Sequence, residues 1–127
     1  FAYVGRQVPL EVGDDTYFAD LLFYHLELRC YVVVELKVSK FQPAFVGQLG
    51  MYVSAINHLK KKETDGPTIG LIICKTKNDV TAQYALEGSS QPIGISEYQL
   101  EALTLEDFKS QLPSIEEIEA LLKEVND

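Results

Sequence analysis

The sequence has few of the residues on which many catalytic sites depend. It contains two histidines, two cysteines, one methionine and no tryptophan. No serine or cysteine is placed to partner either histidine, which disfavours a nucleophile–histidine triad. A phosphate-binding Walker loop, a zinc-ligand spacing and a dinucleotide-binding glycine motif are also missing from the sequence. A catalytic site in this chain would therefore consist of acidic, basic or amide side chains.

Long hydrophobic runs and a secretory leader pattern are absent as well. Apolar stretches such as residues 31–34 are far too short to cross a bilayer. Cys30 and Cys74 both lie in apolar, strand-like runs, which predicts two buried, reduced thiols rather than a disulfide or metal pair. A cytoplasmic protein is the simplest expectation. The length of 127 residues suits a single domain, and the abrupt start at Phe1 predicts a fragment of a longer protein.

Positive charge is scarce and unevenly balanced. Eleven basic residues face 19 acidic ones, for a net charge of −8, which argues against a grip on nucleic acid by the domain as a whole. Residues 101–127 carry −6 of that total, and residues 1–100 carry −2. The acidity belongs mainly to a C-terminal tail of the same domain.

The pattern of apolar residues and turn signals predicts a mixed α and β domain. Residues 13–15 indicate a turn that joins the first two strands in a hairpin. Pro43 opens a helix, Asn78 caps a second one, and Ser114 with Glu117 forms a capping box for a helix in the tail. The strands are expected at 2–12, 16–24, 30–38, 68–74 and 92–97, and the helices at 43–59, 78–88, from Thr104, and from Ser114. This order predicts an α/β or α+β fold with a central mixed sheet flanked by helices.

Asp20 is the informative anomaly in this pattern. It is the only charged residue in the apolar run 17–24, and an isolated buried carboxylate must find a cation or take up a proton. In the strand at 30–38, alternation places Glu35 and Lys37 on one face, roughly 6.5–7 Å apart. If the two strands pair, Asp20 and Glu35 converge at one end of the sheet.

Two carboxylates and a backbone carbonyl are the hard oxygen ligands that Mg²⁺ prefers. A lysine beside such an ion can hold or deprotonate water and meet the charge that develops on a phosphate. The spacing alone leaves an alternative open. In that alternative, Glu35 and Lys37 form an ion pair at the strand end, and Asp20 accepts backbone hydrogen bonds.

At these residues the sequence resembles the PD-(D/E)XK nuclease superfamily. The signature is an acid on one strand and Glu-x-Lys on the next, here Asp20 and Glu35-Leu36-Lys37. In the following helix, Gln48 and Tyr52 are similar to the Gln-x-x-x-Tyr element of RecB-like members.

More narrowly, the chain resembles the YhcG-like bacterial family over nearly its whole length. The matching stretches are residues 1–7, 20–25, 34–37, 67–71, 97–100 and 112–117. The resemblance implies a restriction-endonuclease-like core, a divalent metal (Mg²⁺, with Mn²⁺ as a substitute) and DNA as substrate. It also implies an upstream helical region and a first core helix that precede this chain, and a homodimer is a further expectation.

The resulting hypothesis is a Mg²⁺-dependent deoxyribonuclease that acts in DNA defence, repair or recombination. Asp20, Glu35 and the Leu36 carbonyl are the expected metal ligands, Lys37 orients or activates water, and Gln48 supports the site. Candidate substrate contacts are Arg6, Gln7, Lys40 and Tyr52, and Arg6 and Gln7 could instead touch the metal site. Two rivals stay open, namely a catalytically idle binding or scaffolding domain and an RNA-directed nuclease.

Overall fold

The computed structural model describes residues 1–97 as a five-stranded mixed sheet with two helices. Its elements are β1 (Ala2–Val12), β2 (Asp15–His25), β3 (Cys30–Lys40), α1 (Ala44–Leu59), β4 (Ile69–Thr76), α2 (Asp79–Glu87) and β5 (Ile93–Glu97). The predicted order of elements and the mixed sheet are confirmed within these residues. The helices expected from Thr104 and Ser114, with the acidic tail, lie outside the described residues.

The sheet order follows the chain, β1-β2-β3-β4-β5. The first three strands are antiparallel, and β3, β4 and β5 run parallel. Parallel neighbours need a crossover connection, and α1 and α2 supply one each. The carboxyl ends of β3 and β4 therefore share an edge with the part of β2 that precedes Leu21.

The helices begin and end where their sequence allows. Pro43 precedes the first residue of α1 with helical backbone angles, a position in which its missing N–H is harmless. The Asn78 side chain accepts hydrogen bonds from the Val80 and Thr81 backbone N–H groups and so caps α2. Within residues 1–97, neither helix has the length and apolarity needed to span a membrane.

The sheet is buried on both faces, as the apolar strands predict. One cluster joins the sheet to both helices and includes Leu22, Val33, Leu49, Ile56 and Ile72. A second cluster on the opposite face includes Leu21, Val32, Val34, Leu71 and Ile73. Cys30 and Cys74 are both buried free thiols, as expected.

His25 ends β2 fully buried, and its Nδ1 accepts a hydrogen bond from the Leu28 N–H. It therefore secures the turn into β3, which agrees with the structural role that its strand-end position suggests.

Candidate active site

The ladder between β2 and β3 stops at one defined point. Its paired residues run from His25 and Cys30 to Leu21 and Val34, so the next pair along the chain would be Asp20 and Glu35. Instead of pairing there, the backbone groups are satisfied by side chains. The Asp20 N–H donates to Glu35 Oε1 at 3.1 Å, and the Leu36 N–H donates to Asp20 Oδ2 at 2.9 Å. Each carboxylate thus accepts a hydrogen bond from a backbone N–H group that the ladder between β2 and β3 does not pair.

This exchange brings the two predicted carboxylates together. Glu35 is 4% exposed and Asp20 is half-buried. Burial, and after it the negative charge of Asp20, raise the pKa of Glu35 to about 8. The ionised form of Glu35 is therefore unfavourable at this position in the absence of a further cation.

Lys37 lies on the same face of β3 but forms no ion pair with either carboxylate. Its Nζ donates to Gln48 Oε1 at 3.0 Å and lies 4.8 Å from the centre of the Phe45 ring. The Lys37–Glu35 ion pair of the alternative reading does not form among residues 1–97, where one salt bridge joins Lys77 and Asp79. The other half of that alternative is present, because Asp20 does accept a backbone hydrogen bond.

Helix α1 holds the lysine in place from the other side. Gln48 and Tyr52 are one helical turn apart, and Gln48 Nε2 donates to the Tyr52 hydroxyl at 3.3 Å. This bond turns the amide oxygen of Gln48 towards Lys37. Burial, followed by the charge of Glu35, raises the pKa of Tyr52, so this hydroxyl stays protonated next to the acidic pair.

Of the remaining predicted residues within residues 1–97, one contacts the carboxylates and two form no ion pair with them. Gln7 Nε2 donates to Asp20 Oδ1 at 3.0 Å, so it belongs to the carboxylate cluster. Gln7, Arg6 and Lys40 are all exposed. Lys40 lies near the end of β3, on the strand that carries Glu35 and Lys37. No signal in the sequence indicates the contact between Lys37 and Phe45, because helical spacing does not distinguish a ring packed on the sheet from one beneath an ammonium group.

The donor set suits a small divalent cation better than a softer metal. No cluster of three or more His, Cys, Asp or Glu side chains forms a metal site within the described part of the chain. Mg²⁺ is commonly held by only one or two carboxylates and retains several waters. Asp20 and Glu35 meet that requirement. Among residues 1–97, their oxygens accept from backbone and amide N–H groups and from no ammonium or guanidinium group.

Comparisons with known protein sequences identify the family of the chain. A family profile described as the YhcG PDDEXK nuclease domain matches residues 1–113. The YhcG protein of Escherichia coli (strain K12) is 39% identical over 127 residues, covering 98% of the chain. The chain spans 32% of that relative's length.

Two solved structures share the fold. A repair endonuclease from Pyrococcus abyssi superposes with a TM-score of 0.55 at 16% identity, over 78% of this chain and 39% of the other. An EndoMS–dsDNA complex gives a TM-score of 0.54 at 20% identity, over 76% and 36%. At these identities the likeness concerns the fold, and it confirms the restriction-endonuclease-like core. The sequence match and the signature together establish the kinship: the chain belongs to the YhcG family of PD-(D/E)XK nuclease domains.

Proposed function

We propose that the chain is the catalytic domain of a Mg²⁺-dependent nuclease that hydrolyses phosphodiester bonds in DNA, in defence, repair or recombination. The observation that carries the proposal is the junction of β2 and β3. There the strands separate, two carboxylates converge, and a lysine is held beside them without pairing to either. Membership of a nuclease family supports hydrolysis, and the structural neighbour solved with double-stranded DNA supports DNA as the substrate.

Asp20 and Glu35 are the residues that would hold the ion, with the Leu36 carbonyl as a third oxygen ligand. When bound, a divalent cation lowers the pKa of a coordinated water and draws negative charge from the phosphate. The hydrogen bonds from the Leu36 and Asp20 N–H groups keep the carboxylates from turning away from the junction.

Lys37 acts on water and on the developing charge. An ammonium group has three donors, of which the Gln48 oxygen takes one. The other two can hold the attacking water or donate to a phosphate oxygen. Gln48 fixes the direction of Nζ, and Tyr52 fixes the amide of Gln48. Removal of one such preorganised donor lowers kcat by about 10²–10³-fold in well-studied hydrolases.

The test is cleavage by the full-length protein with Mg²⁺, on duplex, branched and single-stranded DNA and on RNA. Asp20→Ala, Glu35→Ala and Lys37→Ala are each expected to abolish cleavage while leaving the protein folded. Lys62→Ala, an exposed lysine beyond the end of α1, is the control and should cleave like the wild type. Full activity in Glu35→Ala would overturn the proposal. Cleavage confined to RNA would reassign the substrate, and no cleavage at all would favour an idle scaffold.

A further inference from the structure

Gln7 has a backbone conformation that its place in a strand does not predict. Among the described residues, two that are not glycine have a positive φ, Gln7 at 45° and Arg29 at 52°. Arg29 lies in the turn between β2 and β3, where such angles are common. Gln7 lies in the middle of the eleven-residue strand β1. Residues other than glycine that are held in the left-handed region cluster at active sites and ligand-binding sites.

The position of this residue coincides with a change in the hairpin. Ala19 and Leu22 both belong to the cluster beneath the helices, although residues three apart in a regular strand point to opposite faces. The alternation of β2 therefore switches between them, beside Asp20. Arg6 pairs with Leu21 and Val8 pairs with Ala19, so the register places Gln7 opposite Asp20.

The side chain of Gln7 uses this position to hold one oxygen of Asp20. Its Nε2 donates to Oδ1 at 3.0 Å, while the Leu36 N–H donates to Oδ2. Each carboxylate oxygen has two lone pairs. The hydrogen bonds made within residues 1–97 take one from each oxygen, which leaves a second for a cation. Because the amide is neutral, it fixes the carboxylate without supplying a positive charge that would compete with a metal ion.

From this arrangement we infer that Gln7 is a positioning residue, which holds the Asp20 carboxylate in its metal-binding orientation from a backbone held in the left-handed region for that purpose. The inference rests on the proposed function. It assigns Gln7 to the metal site and not to substrate contact.

The experiment measures the melting temperature of the full-length protein while Mn²⁺ or Mg²⁺ is titrated, which gives an apparent metal affinity without reference to cleavage. Gln7→Met keeps the length of the side chain and removes the donor. We expect its metal affinity to fall about 10- to 100-fold, the effect typical of losing a hydrogen bond to a metal ligand. Cleavage by this variant should recover at saturating Mg²⁺.

Two glycine variants separate the side chain from the backbone. Gln7→Gly should lose metal affinity as Gln7→Met does, while its metal-free melting temperature equals or exceeds that of the wild type, because glycine tolerates positive φ. Arg29→Gly is the matched control, in which the melting temperature should rise in the same way and metal affinity should stay unchanged.

The inference is overturned if Gln7→Met and Gln7→Gly bind metal within about twofold of a wild type that does respond to metal. A cleavage defect that persists at saturating Mg²⁺ would also overturn it, by indicating direct contact with the substrate. A wild type with neither a metal-dependent melting temperature nor cleavage would sink the proposed function itself, so the two failures are distinguishable.

Discussion

Glu35 combines two properties that are rarely found together, near-complete burial and a second carboxylate close by. Without a metal ion, the folded protein must either hold that charge beside Asp20 or take up a proton to remove it. Both choices destabilise the fold relative to a neutral side chain of the same shape. The carboxylate is therefore retained at the expense of stability, as is common for functional residues.

Glu35→Gln should consequently stabilise the metal-free protein. The glutamine oxygen can still accept the Asp20 N–H, and the charge is gone. We expect the melting temperature to rise by at least about 4 °C, the shift that about 1 kcal/mol produces in a domain near this size. The rise induced by Mg²⁺ in the wild type should be lost in the variant. Glu63→Gln, at an exposed loop position, is the control, and an equal rise there would contradict the explanation.

Some features of the site residues could be predicted from the sequence and others could not. The convergence of Asp20 and Glu35 followed from side-chain alternation and from a charge in an apolar run. The left-handed backbone of Gln7 did not, because glutamine has no special tendency to adopt positive φ and its neighbours give no turn signal. The stacking of Lys37 on Phe45 depends on the angle between α1 and β3, which is a tertiary property.

The close approach of α1 to β4 positions Gln48 over the site. A Cβ on Gly70 would lie 2.8 Å from Leu49 Cδ2 and 3.0 Å from Val53 Cγ2. Glycine therefore allows the helix to pack against the strand at this distance. Helical periodicity indicates which face of a helix is buried, but it carries no information on how closely that face approaches the sheet.

Gly70→Ala should lower the free energy of unfolding by about 1–3 kcal/mol, the usual effect of overpacking a core. Gly47→Ala is the matched control inside α1, because a Cβ there meets nothing within 4 Å. It should raise stability by about 0.5–1 kcal/mol through helix propensity. Denaturant unfolding of both variants tests the pair, and a stabilising Gly70→Ala would show that α1 has room to shift.

The connection from α1 to β4 is tied to β2 by one side-chain bond. The Tyr24 hydroxyl donates to Asp65 Oδ1, and Asp65 Oδ2 accepts from the Lys62 N–H. The Tyr24 bond, and after it the Lys62 bond, lower the pKa of Asp65 below its usual 3.8. The bond to Asp65 raises the pKa of Tyr24 to about 12. Both shifts indicate that the bond is made to the ionised carboxylate.

The pH dependence of this link has a definite sign. Because the pKa of Asp65 is lower in the folded state, its contribution is present above pH 4 and is lost as the pH falls through the lowered value. Because the pKa of Tyr24 is raised, its contribution to folding stability is present below pH 10 and is lost as the pH rises through about 12.

The difference in melting temperature between the wild type and Tyr24→Phe should therefore be constant between those limits and shrink in acid. Tyr84→Phe, at an exposed position, should show no such difference, and a gap that persists in acid would refute the assignment.

Strand patterns and helix signals were enough to predict the order of the elements, because each buried element carries its own periodicity. The sheet order was less accessible, since parallel pairing between β3, β4 and β5 depends on contacts far apart in sequence. The distribution of charge follows directly from the sequence, and it affects how the protein can bind its substrate. Residues 1–100 carry a net charge of −2, and the remainder carries −6.

A domain with this balance is poorly suited to hold duplex DNA alone, because affinity for duplex depends largely on cationic groups that displace counterions. The chain spans 32% of the length of the Escherichia coli relative. We propose that an upstream helical region supplies most of the affinity for DNA and that a homodimer brings two cutting sites to one duplex.

The Asp20→Ala substitution, which prevents cleavage, allows binding to be measured. The affinity of the full-length variant should fall steeply as salt rises, by about 0.9 logarithmic units per tenfold salt for each phosphate contacted. The isolated 127-residue chain with the same substitution, once a cooperative melting transition shows it to be folded, should bind weakly and with a shallow salt slope. Sedimentation of the full-length protein should show a dimer. Tight, salt-sensitive binding by the isolated chain would place the grip within the nuclease domain and contradict this division of labour.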